Sequence, residues 1–290
     1  MSVFLSTALR TDVWRNEALQ LTSFKDITTK HRHIFLSPHF DDVVYSCGGT
    51  LGVQVSSGLR PLVITVFGGV PPSDLKLSPF ALQVHREMGV SAAQGVSRLI
   101  ETRRKEDAAA LDYLEVDYLW LDYLDAMYRG EPPYYPDKNA VIGGDVHPAD
   151  LWIDKQLAED LIALRERLPD TVWYAPLGAG RHVDHQIVCS AVDRLTQRGA
   201  KVNLYEDFPY VQREPGALDA RLKELGGTLE LALVEMSEFL PVRLAAADIY
   251  ATQIGVNFGN QEAMHKAMES YTHGIRPVET VYLERYWTAR

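Results

Sequence analysis

The sequence is poor in the features that would tie a protein to a membrane, to nucleic acid or to an oxidising compartment. Cysteine occurs only twice, at Cys47 and Cys189, too few for the regularly spaced sets that build disulfide frameworks. Both fall in apolar segments with helical spacing and read as reduced core residues. No hydrophobic run approaches the roughly 18 residues of a membrane span, and the opening "MSVFLSTALRTDVWRNEALQ" lacks the continuous apolar stretch of a secretory signal. Positive charge is also short: 29 Lys and Arg stand against 39 Asp and Glu, for a formal charge of -10 and a pI near 5.4. An electrostatic grip on nucleic acid or an anionic membrane needs the opposite balance. A GxGxxG turn after an apolar run is missing too. "CGGTLG" (47–52) lies inside a helical stripe, and "GAG" (178–180) is followed by histidine and aspartate, which disfavours a nucleotide-dependent oxidoreductase. Internal repeats and low-complexity tracts are absent. The expectation left standing is a cytoplasmic protein with a small-molecule partner, no nucleic acid and no membrane span.

What is present is an alternation of short apolar runs with segments of helical spacing. The strand candidates are "HIFLSP" (33–38), "PLVITVFGG" (61–69), "DYLWLDYL" (117–124), "TVWYAPLG" (171–178) and "KVNLYEDF" (201–208). Between the first two, Val44, Cys47, Leu51 and Val55 form one buried helix stripe; after the fourth, Val188, Val192 and Leu195 do the same. Short apolar runs separated by segments of helical spacing predict an α/β fold, a Rossmann-like doubly wound, mostly parallel sheet with helices on both faces. Residues 1–290 are read as a single domain, with 1–32 as an N-terminal extension. The Pro- and Gly-rich segments 70–98 and 130–148 read as long loops, which in such folds tend to be functional or mobile. Near the C-terminus, "TLELALVEM" reads as a strand, Leu244, Ala247, Ala251 and Ile254 as one helix face, and "VETVYLERYWT" as a closing strand.

In an open parallel sheet, ligands bind outside the carboxyl ends of the strands. "SPHFDDVVYSCGG" (37–49) puts His39, Asp41 and Asp42 at such an end, and "GAGRHVDHQIV" (178–188) puts His182, Asp184 and His185 at another. Either cluster alone is the polar start of a helix, where acidic residues cap and complement the dipole. Together they supply the imidazoles and carboxylates that suit zinc and similar divalent ions, with about three protein ligands and an open position in a catalytic site. His39, Asp42 and His185 make one such set, leaving Asp41 as general base; the exchange of Asp41 and Asp42 satisfies the spacing equally well. His182 is placed to donate to an oxyanion or to protonate a leaving amine, and Asp184 to orient an imidazole from behind.

"SPHFDD" followed by "GG", with "PLGAGRHVDH" much later, resembles the PIG-L family, also called LmbE-like deacetylases. The resemblance implies a Rossmann-like α/β fold and hydrolytic removal of acetyl groups from N-acetylglucosamine units with zinc or a comparable divalent metal such as Fe2+, Co2+ or Ni2+. It assigns His39, Asp42 and His185 as metal ligands, Asp41 as general base and His182 as the oxyanion-stabilising histidine. "TRRKEDAAALDYLEV" (102–116) is similar to the family's helix whose arginine contacts substrate, placing Arg104 there, and "LDYLDAMYR" (121–129) matches a stretch whose aspartate binds sugar hydroxyls, placing Asp125. "LYEDFPY" (204–210) and "ERYW" (284–287) resemble members from bacterial secondary metabolism. The sequence departs from the common pattern at Phe40, Val43 and Val183, none a proposed ligand. The resulting expectation is a deacetylase of an N-acetylated amino sugar or glycoconjugate, with a homo-oligomer admitted. The alternatives are an amidase for another N-acyl substrate and a non-catalytic sugar-binding relative.

Overall fold

A computed structural model describes residues 17–226, 229–278 and 280–289. Eight strands form one sheet: β1 (Gln20–Leu21), β2 (His33–Ser37), β3 (Leu62–Thr65), β4 (Asp117–Trp120), β5 (Val172–Pro176), β6 (Lys201–Tyr205), β7 (Leu229–Glu235) and β8 (Leu283–Ala289). Their spatial order is β1-β4-β3-β2-β5-β6-β8-β7. The strands from β1 to β6 pair in parallel, and β8 runs antiparallel to both β6 and β7.

The helices are α1 (Asp42–Ser56), α2 (Pro79–Glu87), α3 (Arg98–Leu114), α4 (Lys138–Val141), α5 (Leu151–Arg167), α6 (Val183–Gln197), α7 (Tyr210–Arg213), α8 (Ala217–Leu225), α9 (Leu240–Ala247), α10 (Ala251–Phe258) and α11 (Gln261–Gly274). None is long and apolar enough to cross a membrane. The two-residue period of a strand sends alternate side chains to opposite faces. Phe35 and Val63 accordingly join a core made with α1, α3 and α9. Ile34, Leu36, Leu62 and Ile64 join the other core, made with α5 and α6. Helices thus cover both faces, which is why the central positions of β2 and β3 are apolar on both sides.

Several differences from the sequence reading have local causes. The sheet begins earlier than the 1–32 extension implied: β1 pairs with β4 through Gln20↔Tyr118 and Leu21↔Leu119, a two-residue contact too short to leave a periodic signal. The segment 70–98 contains α2, started by Pro79 at its first position with Ser78 capping Ala81 N. The face from Leu244 to Ile254 is split into α9 and α10, with Asp248–Tyr250 between them.

Helix α1 packs unusually close to its neighbours. A Cβ on Gly48, Gly49 or Gly52 would stand 2.9 Å from Arg243 Cγ, 2.6 Å from Met236 Cγ and 2.8 Å from Phe239 Cδ1, respectively. Glycines there let segment 236–243 lie directly on the helix. The buried Glu284 of β8 accepts from Gly49 N at 2.8 Å and Thr50 N at 2.7 Å, and its charge is matched by Arg243, 3.2 Å away. The final strand is therefore bonded to the middle of the first long helix.

Chain order fixes where a ligand can sit. The chain moves outward from β2 through β3 to β4, then returns to place β5 on the other side of β2. The carboxyl ends of β2 and β5 border the point where winding reverses, the crevice where open α/β sheets bind ligands.

Candidate active site

The turn after β2 is tied before α1 begins. Ser37 Oγ donates to His39 O and accepts from Val43 N at 3.1 Å, and Asp42 Oδ2 accepts from His39 N at 2.7 Å. Across the crevice, the turn after β5 leads into α6, capped by His182. The two turns converge. Asp42 Oδ2 lies 3.2 Å from His39 Nδ1 and 3.2 Å from His185 Nε2. An ion bound tetrahedrally at about 2.0–2.1 Å separates its ligands by roughly 3.3 Å, so these spacings suit shared coordination.

The donor chemistry agrees. His185 Nε2 is buried without a hydrogen-bond partner, while its Nδ1 is 2.7 Å from Asp207 Oδ1. His39 Nε2 is 2.9 Å from Asp184 Oδ2. Each imidazole thus turns one nitrogen to Asp42 and braces the other on a carboxylate, the usual support of a metal-binding histidine. Donor atoms of His39, His182 and His185 also gather within 4.8 Å, as do those of His39, Asp125 and Asp184. In each of these sets, as at Asp42, some donor groups also serve neighbouring backbone or side chains. His182 Nδ1 accepts from Asp184 N at 3.2 Å, and Asp125 Oδ1 caps Met127 N. Asp184 serves Ala126 N at 3.1 Å and Arg129 at 2.6 Å. The crevice therefore offers imidazole and carboxylate donors suited to a divalent cation.

The neighbouring carboxylates are driven apart in acidity. Burial works to raise Asp42, but His185 and His39 together hold it well below the usual carboxylate range. Burial raises Asp41, and the Arg103 guanidinium, whose Nη2 donates to Asp41 Oδ1 at 2.7 Å, offsets this only in part. Two titratable groups separated in this way are suited to different tasks. Burial, reinforced by His39, holds His182 well below the ordinary imidazole range. Because its Nδ1 is an acceptor, the neutral ring carries its proton on Nε2.

His39, Asp41, Asp42, Asp125 and His182 line one cleft of about 180 Å³, together with Arg103. Phe80 and Val84 of α2 and Met88 just after it, with Met127 and Val141, give it an apolar wall. Arg104 is elsewhere: it donates to Gly68 O at 3.0 and 2.7 Å and to Asp122 at 3.1 Å, over the Trp120 ring and outside the cleft lining. The arginine that reaches the site is its neighbour Arg103, on the buried helix stripe Leu99, Arg103, Asp107, a four-residue spacing legible in the sequence. Asp207 was not singled out either. It follows β6, accepts from Gly178 N and Ala179 N at 2.8 and 2.9 Å, and braces His185, all with one side chain. Its only signal was an acid just past a strand end.

The 130–148 segment completes the site. Ile142 makes an isolated antiparallel bridge with His182, and Gly143 N donates to Arg181 O at 3.0 Å. Gln186 Nε2 donates to Gly144 O and Arg181 O, both at 2.8 Å. This strap fixes the backbone on which the His182 ring is mounted.

Comparison with known proteins bears on the family and the fold. The PIG-L family, described as GlcNAc-PI de-N-acetylase, matches residues 34–196. The 2'-N-acetylparomamine deacetylase of Niallia circulans is 31% identical over 241 residues, covering 80% of this chain and 84% of that protein. The enzyme of the same name from Streptomyces fradiae is 32% identical over 230 residues, covering 77% and 73%. Among solved structures, the zinc-inhibited form of teicoplanin deacetylase Orf2 superposes with a TM-score of 0.72 at 25% identity, covering 89% of this chain and 97% of that one. With the matched span including both turns of the crevice and the fold shared along nearly the whole chain, the protein belongs to the PIG-L family of de-N-acetylases.

Proposed function

We propose that the protein is a zinc-dependent hydrolase that removes the N-acetyl group from an amino-sugar-containing natural product. The supporting observation is the placement of Asp42 Oδ2 between His39 Nδ1 and His185 Nε2, with Asp41 beside it. A divalent ion held by these three residues would supply Lewis acidity toward the acyl carbonyl and would acidify the attacking water.

The remaining steps belong to this chain's own side chains. Asp41, raised by burial and held at Oδ1 by Arg103, takes the proton of the attacking water on its other oxygen and returns it to the departing amine. His182 points a neutral Nε2–H at the oxygen that becomes negative in the tetrahedral intermediate, so the donor is oriented before reaction. Asp207 and Asp184 fix the rings of His185 and His39. Asp125 faces the cleft, 3.8 Å from His39 and 3.9 Å from Arg103, and is assigned to a sugar hydroxyl. Arg104, occupied by Gly68 O and Asp122, has no place in this scheme.

The relatives are named for 2'-N-acetylparomamine and teicoplanin and the family for GlcNAc-PI, and an N-acetylated amino sugar is taken as their common element. That common element is the substrate class proposed here, in the cytoplasm, where the buried and unpaired Cys47 and Cys189 stay reduced. Incubation of zinc-loaded protein with 2'-N-acetylparomamine and other N-acetylated amino sugars, followed by mass spectrometry, should reveal loss of one acetyl group, abolished by a chelator and restored by metal. Failure to deacetylate any of them in the metal-loaded state would refute the proposal.

A further inference from the structure

Helix α3 acts on the cleft a second time, through α10. Glu106 Oε1 accepts from Thr252 N at 2.9 Å, and Glu106 Oε2 from Thr252 Oγ1 at 2.6 Å. Asp107, next along α3, accepts from Tyr250 Oη at 2.8 Å and from Trp120 Nε1 at 2.7 Å. Residues 250 and 252 flank the start of α10, so two neighbouring carboxylates of α3 fix where that helix begins. Gln253, Val256 and Asn257 follow on one helix face and line the cleft that holds His39, Asp41 and Asp42. The helix that ties down Asp41 through Arg103 thus also sets another wall of the same cavity.

Hydrogen-bond directions orient Gln253. The Thr252 hydroxyl has one proton, and it is spent on the Glu106 carboxylate. Its lone pairs can then only accept, which calls for Gln253 Nε2, 3.1 Å away; the same nitrogen is 3.5 Å from Met88 Sδ. The amide is thereby set with its donor end on the protein, and its carbonyl oxygen Oε1 has no hydrogen-bond partner among the described residues. Gln253 is 4% exposed, yet Oε1 is not among the polar atoms sealed from solvent, and the space the residue lines is the cleft. One end of this buried amide is used to orient it and the other is open to a cavity, where an unmade hydrogen bond is costly. The surroundings narrow the chemistry of what it meets. Phe80, Val84 and Met88 beside it are apolar, and an amide oxygen accepts a proton donor without a charge to draw a cation.

We propose that Gln253 is a specificity-determining residue whose Oε1 accepts a hydrogen bond from one hydroxyl group of the sugar ring being deacetylated, a hydroxyl other than the one assigned to Asp125. Thr252 and Glu106 are the residues that position it. This deepens the amino-sugar reading above and rests on it.

The test compares N-acetylglucosamine with its 3-, 4- and 6-deoxy analogues, by calorimetric Kd and by acetate release, in the wild type and two variants. Gln253→Met keeps the length of the side chain and its packing on Met88 while removing the acceptor. Thr252→Val keeps the shape of Thr252 and frees the amide to turn. In the wild type, the analogue lacking the contacted hydroxyl should bind about tenfold more weakly than the parent sugar. Gln253→Met should weaken the parent and the other two analogues about tenfold and leave that one within about twofold, with kcat held within about twofold. Thr252→Val should give the same pattern at about threefold. The assignment is overturned if the variants weaken all four ligands alike, as a purely structural role would, if they change none, or if the wild type binds none. Acetate release without the pattern would remove Gln253 and leave the deacetylase; the pattern in Kd without acetate release would sink the deacetylase reading and leave the Gln253 contact standing.

Discussion

The two ends of the sheet make an instructive contrast. At the amino ends of the strands lies the larger basin, about 660 Å³, bordered by Lys30, His31, Arg32, His33, Arg60 and Arg167. At the carboxyl ends lies the smaller cleft of about 180 Å³. Size and positive charge favour the first, yet its chemistry is largely spent. Asp117 is buried and receives Arg60 at 2.5 Å, His31 at 2.9 Å and Leu19 N at 2.8 Å, while Arg167 donates to Ile27 O and Phe24 O. Lys30 and Arg32 are exposed on the rim. At the smaller cleft two adjacent buried carboxylates are pushed in opposite directions, and behind one of them the buried His185 Nε2 has no hydrogen bond. Unspent, oppositely tuned polar groups mark the reactive end; volume does not.

The largest effect that would break this contrast is expected at Asp41. Asp41→Asn should lower kcat by about 10³-fold with metal content retained, as measured by acetate release and elemental analysis; a variant of near-normal rate would remove the base from the cleft. Next comes a paired substitution on α3. Arg103→Ala, which unties Asp41, should cost about 10²-fold in kcat/KM, whereas Arg104→Ala, outside the cleft, should cost less than about threefold. The reverse ranking would return the substrate-facing role to Arg104.

Why one arginine and not the other was difficult to read lies in how each side of the argument uses the chain. Motif resemblance compares residue types in order, and in "TRRKED" two adjacent arginines satisfy it equally. Helical geometry separates neighbours by about 100°, and the buried stripe through Leu99, Asp107, Ala110 and Leu111 includes Arg103. The meeting of the 39–42 and 182–185 turns was legible because charged residues crowded against apolar strands are rare and strand ends are where such sheets bind; the choice between Asp41 and Asp42 rested on the family resemblance alone. Asp207 was not, because its role comes from the adjacency of β5 and β6 in the sheet, a long-range fact with no local spacing. The parallel sheet followed from short apolar runs alternating with helical segments, but β1, two residues long, had no pattern to show.

Asp207 also sharpens the comparison. Asp207→Asn should weaken zinc binding by about 10- to 100-fold, measured by competition with a chromogenic chelator; unchanged affinity would mean that His185 needs no brace. The smallest effect belongs to the opposite end. Lys30→Ala with Arg32→Ala should leave kcat/KM unaltered and shift unfolding free energy by no more than about 0.5 kcal/mol, and a clear loss of turnover there would show that the basin takes part after all.

The bond from Glu284 to the backbone of α1 carries a practical consequence for handling the protein. Gly49 stands seven residues after Asp42, about 10 Å along the helix axis, so clipping by a protease ahead of Leu283 would withdraw an anchor two turns from a proposed zinc ligand. Purification handles are better joined at the amino end, and zinc content offers a sensitive gauge of whether the opposite end has been trimmed.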